Sequence, residues 1–330
     1  MSFEVVVFLV ILALAFDFMN GFHDSANSIA TIVSTGAMRP HHAVLWAAFF
    51  NFIAFLVFGV AVATTVGKGI VDPSIIDHRV VFGALCGAIL WNFITWYYGI
   101  PSSSSHALIG GLAGAAVTKG GVSTLIASGF LKTAAAIVLS PALGFLLGAG
   151  LVIAVSWTMF RVAARRADRW FRRLQYVSAA LYSLGHGGND AQKTMGIIWM
   201  LLIAAQYTGP KDPLPLWVVL SCQAAMGLGT LFGGWRIVKT MGMRITQLRP
   251  VDGFAAESAG AITLLVTALG GIPVSTTHTI TGAIVGVGSI RRMSAVRWGV
   301  AGRIVWVWLL TIPVSAIVGA AVMAIIERFF

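Results

Sequence analysis

The stretch Gly99-Ile100-Pro101-Ser102-Ser103-Ser104-Ser105-His106 places four consecutive hydroxyls between an apolar run from Val80 to Tyr98 and small apolar residues reaching Val117. Hydroxyls in such surroundings must be met by backbone groups, by one another, by water or by a ligand. The pattern returns 172 positions later as Gly271-Ile272-Pro273-Val274-Ser275-Thr276-Thr277-His278. Phe82/Phe254, Gly99/Gly271, Pro101/Pro273, Ser103/Ser275, His106/His278, Gly110/Gly282 and Gly114/Gly286 all keep that offset. The chain is therefore read as a duplicated one, with the repeated polar tip as its expected working part.

The class follows from how little charge surrounds these tips. Of 330 residues, 58% are hydrophobic and 10% charged, where a soluble domain carries about a quarter charged residues. The expectation is an all-α polytopic membrane protein. The net charge of +11 does not argue for nucleic acid, because the arginines gather in short segments between apolar runs, as in cytoplasmic loops. Cys86 and Cys222 both lie in apolar segments, which argues against a disulfide or cysteine–metal framework. Glu4 and no basic residue precede the first apolar run, so residues 3–20 read as a retained span and not a secretory signal.

Residues 3–36 exceed the ~20 residues a span needs and are interrupted at Asn20-Gly21-Phe22-His23-Asp24. That interruption predicts a broken or unwound helix lining a cavity. A second span is expected over residues 43–66, and residues 80–98 with 101–118 form a helical hairpin hinged at the serines. Residues 122–157 again exceed one span, with Pro141 as a kink. Six arginines between Arg161 and Arg173 read as a cytoplasmic loop, with a lipid head-group site as the sharper reading. The second half repeats the plan. Residues 175–206 are expected to break at Gly185-His186-Gly187-Gly188-Asn189-Asp190, 214–235 to span, 253–270 with 273–288 to form the second hairpin, and 299–326 to close the chain with Pro313. This gives a first repeat over 1–160 (hairpin 80–118), a linker over 161–174 and a second repeat over 175–330 (hairpin 253–288). If both termini lie outside and the hairpins are re-entrant, the basic segments at Arg39, Arg161–Arg173, Arg236–Arg249 and Arg291–Arg297 all fall in the cytoplasm. Each half then crosses three times, so the halves have inverted topology, the mark of secondary transporters.

A proline suits a helix's first turn and Ser or Thr suits its cap. Helices starting at Pro101 and Pro273 would aim free N–H groups, hydroxyls and positive dipole ends at the middle of the membrane. That makes an anion site from Ser103, Ser104, Ser105, Ser275, Thr276 and Thr277, with Asn27 and Asn189 as further candidates; the bland reading is helix caps at tight turns. Asp24 and Asp190 each follow a glycine-containing interruption at an offset of 166. A carboxylate inside a span needs a partner or a wet cavity, so both are candidates for Na⁺ or a proton. Asn20 could add an oxygen ligand, and Glu257 is read either as a second coupling carboxylate or as a residue favoured by a helix dipole. Lys193 would neutralise Asp190 or attract the anion, two readings left open. Asp17, Lys132 and Arg303 read as internal pairs or snorkelling side chains, and His106 and His278 as proton carriers or hydrogen-bonded structural residues.

At Gly21-Phe22-His23-Asp24-Ser25-Ala26-Asn27, Gly187-Gly188-Asn189-Asp190-Ala191-Gln192-Lys193-Thr194-Met195-Gly196 and Gly253-Phe254-Ala255-Ala256-Glu257 the chain resembles the inorganic phosphate transporter (PiT) family. The resemblance implies an inverted-repeat symporter in the cytoplasmic membrane that imports phosphate with Na⁺ or H⁺ and uses no other cofactor. It implies phosphate, free or as a metal–phosphate complex, and the lipid bilayer as partners; homo-oligomerisation is left open. Sulfate is the alternative substrate. The first signature has Phe22-His23 where the family has Ala-Asn, and Lys193 stands where the first copy has Asn27. A channel would need a continuous path in place of two closing tips. A hydrolase would need a nucleophile elbow, and no Gly-x-Ser-x-Gly occurs.

Overall fold

A computed structural model describes residues 1–329. Twelve α-helices and no β-strand appear among them. In chain order they are α1 (Phe3–Ser34), α2 (Pro40–Ile53), α3 (Ala61–Gly69), α4 (His78–Tyr98), α5 (Ser104–Gly120) and α6 (Ala127–Thr158). The second series is α7 (Ala164–Ala204), α8 (Leu216–Phe232), α9 (Trp235–Lys239), α10 (Pro250–Leu269), α11 (Thr276–Arg291) and α12 (Trp298–Phe329). The second six follow the first six in kind: a long helix, a bent pair, a hairpin and a closing 32-residue helix.

Five helices (α1, α4, α6, α10 and α12) are long and apolar enough to cross a membrane, or up to seven spans if each bent pair counts as one. α7 is not among them, because His186, Asn189, Asp190, Gln192 and Lys193 interrupt its apolar sequence. All five of these side chains are buried inside the protein, where polar groups can find partners that lipid does not offer.

The helix breaks lie elsewhere than the sequence led us to expect. α1 and α7 run continuously through Asn20–Asp24 and Gly185–Asp190. Their glycines serve close approach, not unwinding. A Cβ on Gly21 would stand 2.2 Å from the Met226 carbonyl oxygen of α8, and one on Gly187 2.4 Å from that of Asn51 on α2. The real breaks fall in the expected spans 43–66 and 214–235, where the chain bends by 83° between α2 and α3 and by 61° between α8 and α9. The Gln192 side-chain oxygen accepts from the first free N–H groups of α3, Val62 at 2.9 Å and Ala63 at 3.2 Å. The Arg161–Arg173 segment is not a loop beyond Val162; from Ala164 onward it is the first part of α7. Pro141 and Pro313 sit inside continuous helices.

Both hairpins form at the expected places. α4 closes on Gly99 (φ 65°), which donates to the Thr95 and Trp96 carbonyls, and the second tip turns at Gly271 (φ 62°). Glycine takes these left-handed conformations without a Cβ penalty. The helices after the tips begin at Ser104 and Thr276, not at the prolines. Ser103 and Ser275 are their N-caps, accepting from the His106 N–H at 3.3 Å and the His278 N–H at 3.2 Å.

The halves are interlocked. α5 packs along α12 and α11 along α6, each across the two halves of the sequence. Gly110 and Gly114 would place Cβ atoms 2.6 Å from Ile312 O and 2.0 Å from Ala316 O; Gly282 and Gly286 would do so at 2.2 Å from Pro141 O and 2.3 Å from Phe145 O. Small residues at this spacing let helices approach where no hydrophobic effect drives them together. The tips are tied across the halves too: Thr240 Oγ1 donates to Gly99 O and Thr65 Oγ1 to Gly271 O, both at 2.8 Å.

α1 and α7 cross antiparallel at the centre. Thr35 bonds Gln175 and Ser28 lies against His186, while Asp17, earlier on α1, faces Thr194, later on α7.

If the interlock depends on these close approaches, Gly114→Ala and Gly286→Ala should each destabilise the detergent-solubilised protein by about 1–3 kcal/mol. Gly150→Ala, in α6 with nothing within 4 Å of the new Cβ, should be neutral or stabilising by up to about 1 kcal/mol. Thermal unfolding of the three variants checks this; equal losses at all three positions would refute it.

Candidate substrate and coupling site

The first turns of α5 and α11 converge on α1 and α7, with the His106 and His278 ring centroids 4.9 Å apart. The backbone N–H groups of Ser104, Ser105, Thr276 and Thr277 precede any intrahelical acceptor. Their hydroxyls are directed at the two aspartates in a crossed arrangement. Ser104 donates to Asp24 Oδ2 at 2.9 Å, and its counterpart Thr276 to Asp190 Oδ2 at 2.8 Å. Ser105 then reaches across to Asp190 and Thr277 to Asp24, both at 3.5 Å. Each carboxylate thus touches both tips, and ligand atoms of Asp24, His186 and Asp190 all lie within 4.8 Å of one another.

The aspartates differ in their other partners. Asp24 Oδ1 is 2.6 Å from His23 Nδ1, and the far side of that ring meets Thr95 Oγ1 at 3.0 Å. Thr95 also accepts from Ser102 at 2.9 Å, which draws the first tip into the network. Asp190 has an ammonium instead. Lys193 Nζ lies 2.5 Å from Asp190 Oδ1, 2.5 Å from Ser105 Oγ and 2.8 Å from the Val274 carbonyl oxygen. An ammonium has three protons, and all three are engaged. His186 Nε2 stands 3.3 Å from Asp190 Oδ2, one turn back on α7. Asn27 Nδ2 donates to Thr277 Oγ1 at 2.9 Å and Thr276 Oγ1 at 3.3 Å.

Of the residues expected from sequence, the structure brings together Ser104, Ser105, Thr276, Thr277, Asp24, Asp190 and Asn27. Ser103 and Ser275 stand behind them as caps. Asn189 turns away, donating to Leu264 O on α10 at 3.2 Å. Asn20 faces Asp17. Glu257 belongs to a separate buried cluster, bonded by Thr31 at 2.6 Å, Ser178 at 2.5 Å and Gln175 at 3.1 Å. His278 stacks on Trp308 at 3.9 Å between centroids, and Trp308 in turn donates to Pro101 O at 3.1 Å.

A polar core of this kind, where two helix starts meet two aspartates, invites comparison with known carriers. The sequence matches the phosphate transporter family over residues 20–319. The chain belongs to that family. It is 61% identical over 320 residues to a probable low-affinity inorganic phosphate transporter of Rhizobium meliloti, covering 97% of this chain and 96% of that one. A counterpart of the same description in Bacillus subtilis is 47% identical over 326 residues, covering 98% of each. Among solved structures, one described as the sodium-dependent phosphate transporter superposes with a TM-score of 0.91 over 99% of this chain and all of that one, at 26% identity. The chain is accordingly a membrane transporter and not an enzyme.

His186 went unassigned in the sequence. Its signal was the i, i+4 spacing to Asp190, legible only once α7 is known to be unbroken. Thr95 carries no motif, and only the fold, through His23, gives it a role.

Removing one member of a buried ion pair costs about 3–5 kcal/mol. Lys193→Met and Asp190→Asn should each lose about that much thermal stability, and the double variant much less than the sum. Additive losses in a double-mutant cycle would show that the pair does not exist in solution.

Proposed function

We propose that this protein imports inorganic phosphate across the cytoplasmic membrane by symport with a cation, Na⁺ or H⁺. The observation that carries the reading is the crossed set of four hydroxyls, with the free N–H groups beside them, presented by two helix starts to one central point. Phosphate is a tetrahedral anion, and helix N-termini favour such anions. The two family descriptions and the solved neighbour support phosphate over sulfate.

Coupling follows from a shortage of protons. The hydroxyls that would hold phosphate are already donated to Asp24 and Asp190. An anion draws them away only if the carboxylates are compensated in another way. Asp190 keeps Lys193. Asp24 has only His23 beside it, so the coupling cation is assigned to the Asp24–His23 end. Asp190, Asn20 and Glu257 are second-rank candidates for the cation on this reading, and Asn189 for phosphate.

The antiparallel crossing of α1 and α7 supports two repeats of inverted topology, 1–160 and 175–330, joined through 161–174. Both termini are then outside and the Arg161–Arg173 segment is cytoplasmic. Metal–phosphate as the transported species and a homo-oligomer both agree with this arrangement.

In liposomes the purified protein should accumulate labelled phosphate when a Na⁺ or pH gradient is imposed, with arsenate competing better than sulfate; the reverse order of competition would make it a sulfate carrier. Asp24→Asn should abolish gradient-driven uptake in protein that still folds. Ser104→Ala and Thr276→Ala should each raise the half-saturating phosphate concentration roughly ten- to a hundredfold, as expected for a lost hydrogen bond to a charged group. A loss confined to one hairpin would mean that only that tip holds the anion.

A further inference from the structure

Asp17 lies on α1 two turns before Asp24 and is fully buried. Neither of its carboxylate oxygens has a hydrogen-bond partner of normal geometry. The groups it faces are Asn20 on its own helix, Thr194 on α7 and Cys222 on α8, and the charge of Asp190 also acts on it. The Asn20 Oδ1 and Thr194 Oγ1 atoms are also buried and unpartnered. No ion pair among the described residues includes Asp17. Lys193, next to Thr194 in sequence, is not free to serve it, since all three of its protons are engaged elsewhere.

Uncompensated charge inside a membrane protein is costly, and the groups around Asp17 differ in kind from those at the other interior acids. Glu257 has three donors, Asp190 has an ammonium and Asp24 has a histidine and hydroxyls. Asp17 has no hydrogen bond of normal geometry and only neutral side chains around it: the Asn20 amide and the Thr194 hydroxyl, each with a buried unpartnered oxygen, and the Cys222 thiol. Hard cations are bound by oxygen ligands of this kind. One carboxylate among neutral ligands balances one positive charge, which favours a monovalent over a divalent ion.

We infer that Asp17, Asn20 and Thr194 form a Na⁺ site between α1 and α7, separate from the Asp24–His23 end of the phosphate site. The site does not depend on phosphate being the substrate, because it shares no ligand with the hairpin tips.

The test is thermal unfolding of the detergent-purified full chain without phosphate, at constant pH and ionic strength, with NaCl replacing choline chloride. An ion that binds only the folded state raises the melting temperature with its concentration. The wild type should show a saturable rise with Na⁺ that survives in Asp24→Asn; in that background Asp17→Asn should remove the rise, and Thr194→Val should need roughly tenfold more Na⁺. Ser104→Ala should keep the rise while losing labelled-phosphate binding, which separates this site from the tips. The inference is overturned if the wild type responds to pH but not to Na⁺. It is equally overturned if Asp17→Asn keeps the rise and Asp24→Asn removes it. Should Asp17→Asn fail to fold, an unshifted Na⁺ response in both Asn20→Ala and Thr194→Val overturns it as well.

Discussion

Two aspartates, one beside a histidine and one beside a lysine, share one set of hydroxyls, and much of the molecule follows from keeping them there. A buried carboxylate is tolerable only with hydrogen bonds and charge close by. Four hydroxyls from two hairpin tips supply the bonds, so the tips must meet within the bundle. That requirement explains the left-handed glycines at 99 and 271, the serine caps that start α5 and α11 just past the turns, and the threonine bonds that hold each tip from the other half. It also explains why α1 and α7 both carry buried polar residues where they cross, Asp24 and Asn27 on one and His186, Asp190 and Lys193 on the other.

Bringing the tips together demands close helix packing. The Gly110–Gly114 and Gly282–Gly286 pairs lie against backbone carbonyls of α12 and α6, each provided by the opposite half. The halves therefore do not behave as two bodies touching at a seam; each contributes the long helix on which the other's hairpin rests. A tip could not withdraw alone without opening a glycine-lined contact that the other half supplies.

The fold was legible where sequence features had only one physical outcome. Two apolar runs joined by a Gly-x-Pro tip inside a hydrophobic chain had to become hairpins, and the offset of 172 kept over seven pairs falls on matching elements of the two helix series. Glycine next to Asn, His and Asp was ambiguous. It could mark an unwound helix or a close crossing, and only the positions of Met226 and Asn51 decide for the crossing. The ambiguity extends to the site: the i, i+3 and i, i+4 spacing of His186, Asp190 and Lys193 has meaning only on an unbroken α7. Asn189 was drawn in by its motif neighbours, yet on a continuous helix it points about 100° away from Asp190, toward α10. The hydroxyl-to-aspartate pairing was legible in kind but not in its crossed form, because sequence cannot say which tip meets which acid.

The departure from symmetry is as informative as the symmetry. Position 27 on α1 and position 193 on α7 are counterparts at the offset that relates Asp24 to Asp190. Each lies three residues after its aspartate, so both project from the same side of their helices. Asn27 bonds only the hydroxyls of the second tip, whereas Lys193 bonds a hydroxyl of the first tip, a carbonyl of the second and its own aspartate. If both positions were asparagine, both acids would need an outside cation to release their hydroxyls to an anion. With lysine at one, that half of the charge is covalently attached and does not leave with the substrate. On the proposed symport, the central site would then need one outside cation per phosphate in place of two, supplied at the Asp24 end, where no ammonium stands.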